Sequence, residues 1–291
     1  MMVSLPAKWL KKLDLGKGDE IDIEEKGKNL LIGAEESQKG PREITITITK
    51  ENKHDISPIL SHAYRRGFNR IILTGEISDV SKNIRKITNN LLLGFEVTYS
   101  SKEKILVEAV SAIDETKYEA ILTKIFAILR ETHAIMHEDF KNNKLRDLAE
   151  IEEIRHQQDK FILFCRRKLI NSSYEEKVML EWEFLTFLMH IQHAYYYMYK
   201  YAYENKLKIE KPTLMLMEEL DEYLENFCES YNKKDINLIH KINLLKHDLH
   251  FGKCIQLIEK SKGKNAVVYS YLKEIFRLIQ IWTSPILSGL L

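Results

Sequence analysis

Cysteine is scarce in this chain, and the few present do not pair: Cys165, Cys228 and Cys254 are odd in number, form no CxxC and fall in helical patterns. That excludes a disulfide framework or a thiolate zinc site and points to a reduced, cytoplasmic setting. An excess of charge of one sign is also missing. Forty-four basic residues face forty-three acidic ones, a net charge of +1, so no whole-protein field draws the chain to nucleic acid or anionic lipid. Any DNA contact must be local. No uncharged run reaches the roughly 18 residues that span a bilayer, and the opening MMVSLPAKWLKKLDL has no basic leader before an apolar run. No membrane insertion is expected. Catalytic signatures are absent too: neither a P-loop, GxGxxG after a strand, HExxH nor GxSxG occurs, and the lone Gly75 of ILTGEIS reads as a β-to-α turn. The chain is read as a non-enzyme.

What is there falls into three textures. The first, residues 1–40, has short β-type runs broken by LDLGKGDE and EEKGKN, with a short helix over 7–13 after Pro6 and a hairpin closed near Gly27. The second, residues 41–112, opens on EITITITK, whose strict alternation of Ile and Thr demands a strand, and continues in the order β-α-β-α-β-β. From about Thr116 the chain is helical to its end. Apolar residues at three- and four-residue steps, as in Tyr118, Ile121, Leu122, Ile125 and Leu129, predict six long helices. Breaks at NSSYEE, ENKLKIEKP, NKKD and KSKGKN divide them into two three-helix bundles, residues 113–208 and 209–291, an internal structural repeat without a repeated sequence. The predicted class is α+β, mainly α.

The stretch VSLPAKWLKKLDLGKGDEIDIEEKGKNLLI resembles the AbrB-type swapped-hairpin element fused to archaeal PhoU-like proteins, in its SLP, short basic helix, L-x-x-G-D-E and second hairpin. The α/β module and the helices that follow, with patterns such as IEEIRHQQDKFILFCRRKLI, are similar to the PhoU part of the same fusion. The resemblance implies a small dimeric barrel made by hairpin exchange, usually DNA-binding, with Lys8, Lys11, Lys12 and Lys17 as its phosphate-facing cluster. It also implies a strand ahead of Val3 that this chain lacks, so the element reads as truncated. The implied function is regulation of phosphate uptake, with a phosphate-transporter ATPase or a sensor protein as partner.

PhoU bundles carry E(D)xxxD signatures that hold a metal cluster, and carboxylates at i and i+4 do share a helix face. Here those positions read Arg155-His156-Gln157-Gln158-Asp159, Leu188 to His193, and Phe276 with Gln280. The acid pairs are replaced, so a family-type iron, zinc or magnesium cluster is not expected and no cofactor is assigned. Histidine pairs remain. His133 with His137, His190 with His193, and Asp159 are candidate ligands, with Glu138 or Asp139 able to complete a site; ordinary hydrogen-bonded histidines are the other reading. Tyr195, Tyr196 and Tyr199, in a helix ringed with tyrosine, suit either a partner surface or a central core helix. Arg166 and Arg167 suit an acidic partner or a solvated helix end. Two alternatives to the DNA-binding regulator stay open: a pure dimerisation and interaction protein, and a histidine-based metal sensor.

Overall fold

The computed structural model describes residues 4–12, 14–26, 29–34, 42–110, 117–170 and 175–290. The chain divides into two compact units, Met1–Arg42 and Glu43–Leu291.

In the first unit, α1 (Ala7–Lys12) starts where the Pro6 carbonyl accepts from the Trp9 and Leu10 amides at 2.9 and 3.1 Å. Proline there forfeits no hydrogen bond, because the first helical turn has no acceptors for its amides. A turn tied by Gly16 N–H donating to Asp19 Oδ2 (2.6 Å), with Gly18 at φ +105°, leads into β1 (Ile21–Lys26). β1 pairs antiparallel with β2 (Asn29–Ala34), in the register Ile21 with Ala34 and Ile23 with Ile32. The predicted hairpin is therefore present, while its turn at Gly27 lies outside the described residues. None of this unit's residues whose side chains are described is buried, and Ile23 and Leu30 are each 59% exposed.

The second unit begins with the predicted β-α-β-α-β-β order: β3 (Glu43–Ile48), α2 (Ile56–Arg65), β4 (Arg70–Gly75), α3 (Ser81–Leu91), β5 (Phe95–Ser100) and β6 (Lys104–Ala109). The sheet runs β3-β4-β6-β5, parallel between the first two strands and antiparallel elsewhere. β4 has neighbours on both edges and buries Ile71, Ile72 and Leu73 in succession. At its end Gly75, at φ +85°, brings the backbone so close to the Ile48 carbonyl that a Cβ would collide with the oxygen, which accepts from Glu76 N–H at 2.9 Å. Only glycine combines that dihedral with that approach.

Helices follow as predicted: α4 (Tyr118–Asn142), α5 (Leu148–Ile170), α6 (Glu175–Glu204), α7 (Lys211–Lys233), α8 (Ile236–Lys246), α9 (Cys254–Lys260) and α10 (Asn265–Leu290). The single helix expected over 236–260 is interrupted, because His247–Lys253 winds as a π-helix between α8 and α9. Asn143 and Lys234 end α4 and α7 in the left-handed conformation, at φ 49° and 51°. The sequence predicts two separate bundles meeting near Glu210, but one hydrophobic core runs through α4 to α10. Trp282 of α10 packs on Phe227 of α7 at 4.0 Å and Phe184 of α6 at 4.8 Å between centroids, beside Phe126 of α4. α6 and α10, drawn from the two predicted halves, make the most extensive helix pair in the unit.

α5 also joins the sheet module to the helices. Leu163 lies in the module's own core, and Lys160 Nζ donates to the Asn89 carbonyl of α3 at 2.6 Å. Arg167 enters beneath α2. Its Nη1 donates to the carbonyls of Tyr64 (2.6 Å) and Phe68 (2.8 Å), and its guanidinium lies 5.0 Å from the ring centres of both Tyr64 and Phe95. The last carbonyls of an α-helix lack intrahelical donors and carry partial negative charge, so a buried guanidinium fork is a good partner for them.

Candidate functional site

α4 places His133 and His137 one turn apart, on the same face, where α7 crosses it and presents Asp221. His133 Nε2 lies 2.8 Å from Asp221 Oδ1 and His137 Nδ1 3.3 Å from Oδ2. Behind them Tyr195 of α6 brings its hydroxyl to 2.9 Å from His133 Nδ1. The site is graded in exposure: the side chains of His133, His137 and Asp221 are 3%, 18% and 54% accessible. Burial lowers the His133 pKa, against the opposing pull of the Asp221 carboxylate, so its imidazole is neutral near neutral pH. Burial likewise raises Tyr195 well above the usual phenol range and keeps it a hydroxyl. One ligand atom from each of the two histidines and Asp221 lies within 4.8 Å of the others, the one such group of three among the described residues.

The predicted ligand set thus divides between two places. His133 and His137 converge, but on Asp221 rather than on Glu138 or Asp139. Asp139 turns the other way, accepting from Arg146 Nε and Nη2 at 2.9 Å and from the Tyr199 hydroxyl at 2.6 Å. Burial would raise its pKa, but these bonds outweigh burial and hold it below the ordinary carboxylate range. Asp159 and His193 meet separately across α5 and α6, at 2.9 Å, with Arg155 Nη1 at 4.0 Å from the same carboxylate. A fixed cation beside that carboxylate opposes a second one. His190 is exposed and does not join either group. Asp221 has no mark in the sequence to separate it from Glu218, Glu219 and Glu222 on the same helix; only the register of α7 against α4 selects it.

The residues assigned to partner contact are internal. Tyr195, Tyr196 and Tyr199 are buried because α6 is enclosed by α4, α5 and α10, and each hydroxyl is used within the unit, Tyr196 toward Glu152 Oε1 at 3.4 Å. The exposed tyrosines of α6 are Tyr197 and Tyr203. Arg166 and Arg167 are not a solvated helix end either. They are 3% and 4% exposed, Arg166 donating to Thr186 Oγ1 at 2.6 Å and lying over the Trp182 ring at 5.0 Å. Lys8, Lys11, Lys12 and Lys17 are all exposed; the first three share one face of α1.

Residues 2–41 match the family model of the antidote-toxin recognition protein MazE, a bacterial antitoxin. That match supports the MazE/AbrB-like reading of the N-terminal element and does not extend into the helical unit. No curated protein and no solved structure matches the chain. No helix among the described residues is long and apolar enough to cross a membrane.

Proposed function

We propose that this protein is a dimeric DNA-binding regulator, whose N-terminal element pairs with that of a second copy to make the DNA-reading head and whose helical unit takes its signal by contact with another protein. The observation that carries the reading is that no side chain described in the first unit is buried, together with its match to a MazE/AbrB-like domain. An isolated two-stranded hairpin is marginal in water, and apolar side chains such as Ile23 and Leu30 gain only when a partner covers them. A second copy supplies identical strands at no cost in specificity. The pairing doubles the exposed lysines of α1 and gives a local positive surface on a chain of balanced charge.

The phosphate-uptake reading, with a transporter ATPase or sensor protein as partner, rests on the resemblance of the second and third textures to PhoU-like proteins. A second reading follows from the family description itself: the head would recognise a toxin polypeptide rather than DNA. One experiment separates them. Untagged full-length protein is sized by sedimentation and titrated against DNA from upstream of its own gene and against scrambled DNA of equal length. The regulator predicts a dimer, preference for the first fragment, and affinity falling as salt rises. Replacing Lys8 and Lys11 by Glu removes up to about four phosphate contacts per dimer, flattening the log–log salt slope by up to about 3.6. Equal, weak binding to both fragments refutes DNA regulation and leaves the interaction reading.

A further inference from the structure

We infer that His133, His137 and Asp221 form a binding site for a single first-row divalent cation, of the zinc or iron(II) class, held between α4 and α7. Two imidazoles and one carboxylate are the donor set such ions prefer, and three protein ligands leave coordination positions open. Metal–ligand bonds of about 2.0–2.1 Å place neighbouring donors roughly 2.8–3.0 Å apart in octahedral and roughly 3.3–3.4 Å apart in tetrahedral geometry. The nitrogens of His133 and His137 lie 2.8 and 3.3 Å from Asp221, each from a different carboxylate oxygen, which is close to that spacing. The donors come from rigid helices, so little ordering remains to be done on binding.

Tyr195 supplies the outer support. His133 Nε2 lies 2.8 Å from Asp221 Oδ1 and Nδ1 2.9 Å from the Tyr195 hydroxyl, so with the ring proton on Nε2 the Nδ1 lone pair is open to accept from the tyrosine. Ligation needs the Nε2 lone pair, so the ring's proton must reside on Nδ1. The tyrosine oxygen can then accept from Nδ1–H, so the Nδ1 edge of the ring faces the same partner in either tautomer and no proton need leave the site. The gradient of exposure provides the route of entry: Asp221 faces solvent and meets the hydrated ion, His137 follows, and buried His133 closes the site. Loss of Asp221 as a hydrogen-bond partner is compensated at once by the metal.

The competing account is a helix-to-helix hydrogen-bond tie that binds nothing. Untagged full-length protein, stripped with chelator and dialysed, is titrated with Zn²⁺ by calorimetry and with Co²⁺ by visible absorption. The site predicts one ion per chain, Co²⁺ ligand-field bands, and a rise in Tm with Zn²⁺. His137→Ala and Asp221→Ala, chosen because both side chains reach solvent, retain the fold by circular dichroism and abolish the bands. Tyr195→Phe keeps one ion per chain with affinity lowered about tenfold or more, the usual scale for losing an outer-shell partner. His193→Gln, at the other histidine and carboxylate pair, changes nothing. Absence of stoichiometric binding, or binding that survives both alanine variants, overturns the site. DNA binding enters none of these readouts, so the site and the regulator reading stand or fall separately.

Discussion

Replacing Arg167 by alanine tests how the sheet module is attached to the helices. The substitution strips a charged donor from the Tyr64 and Phe68 carbonyls, bonded at 2.6 and 2.8 Å, and a cation from above two aromatic rings. Hydrogen bonds involving a charged group contribute about 1.5–3 kcal/mol net each. The ring contacts add about 1 kcal/mol. Against this, a buried guanidinium carries a desolvation cost that the variant no longer bears, which offsets part of the loss. The balance is a destabilisation of about 3 kcal/mol. For a unit of this size each kcal/mol shifts Tm by about 2–4 °C, so the midpoint falls by about 6–12 °C. Arg167→Lys keeps the charge without the planar fork and loses about half as much. Urea denaturation followed by circular dichroism measures both, with exposed Lys86→Ala as a control expected within about 0.5 kcal/mol of wild type. A loss below about 1 kcal/mol for Arg167→Ala would show that the guanidinium's burial cost cancels its bonds, and the argument fails.

Three further outcomes follow from the packing. Asp139→Asn costs about 1–3 kcal/mol by leaving Arg146 half-partnered, measured in urea at pH 7. Because the folded Asp139 is held below its ordinary range, its contribution is present above the unfolded-state pKa and fades as pH falls through the lower folded value. The gap between wild type and variant therefore closes below about pH 4, and a gap constant down to pH 2 contradicts the sign. Gly75→Ala forces a Cβ onto the Ile48 carbonyl at positive φ and lowers stability by about 2 kcal/mol or more; a neutral result in thermal melts would mean the β4 turn relaxes freely. Burial pushes Cys165, Cys228 and Cys254 each up to about 12, so none reacts with a thiol reagent at pH 8 on the folded protein while all three react in denaturant. Fast labelling of any one in the native state refutes its burial.

Local pattern was readable where one face decides the structure. Ile44, Ile46 and Ile48 alternate with threonine and appear as β3, and the three- and four-residue steps from Tyr118 appear as α4. Relations between helices were not. Whether Arg167 caps a helix end or faces water depends on a carbonyl about a hundred residues earlier. The tyrosines of α6 look like a surface in one dimension because a helix enclosed on several sides has no polar stripe to reveal its orientation. The pairing of two histidines was visible in their spacing; the carboxylate that joins them came from a different helix, among several equivalent acids.

The π-helical segment has a consequence for how this chain tolerates change in length. Ile239, Ile242 and Leu249 keep one buried line along α8 and its continuation; inside the π-segment His250 is buried as well, and the line resumes at Cys254, while Lys253 beside it ion-pairs with Glu219. Regular α-winding would have turned position 253 inward at the step of four from Leu249. The wide turn absorbs one surplus residue and restores the phase of everything after it. Removing one residue between His247 and Gly252 would convert the segment to ordinary helix with α9 still in register. The same deletion inside α6 or α10 would rotate half a helix of core side chains toward water. A one-residue change in length in this region of the chain would thus be taken up at a single turn.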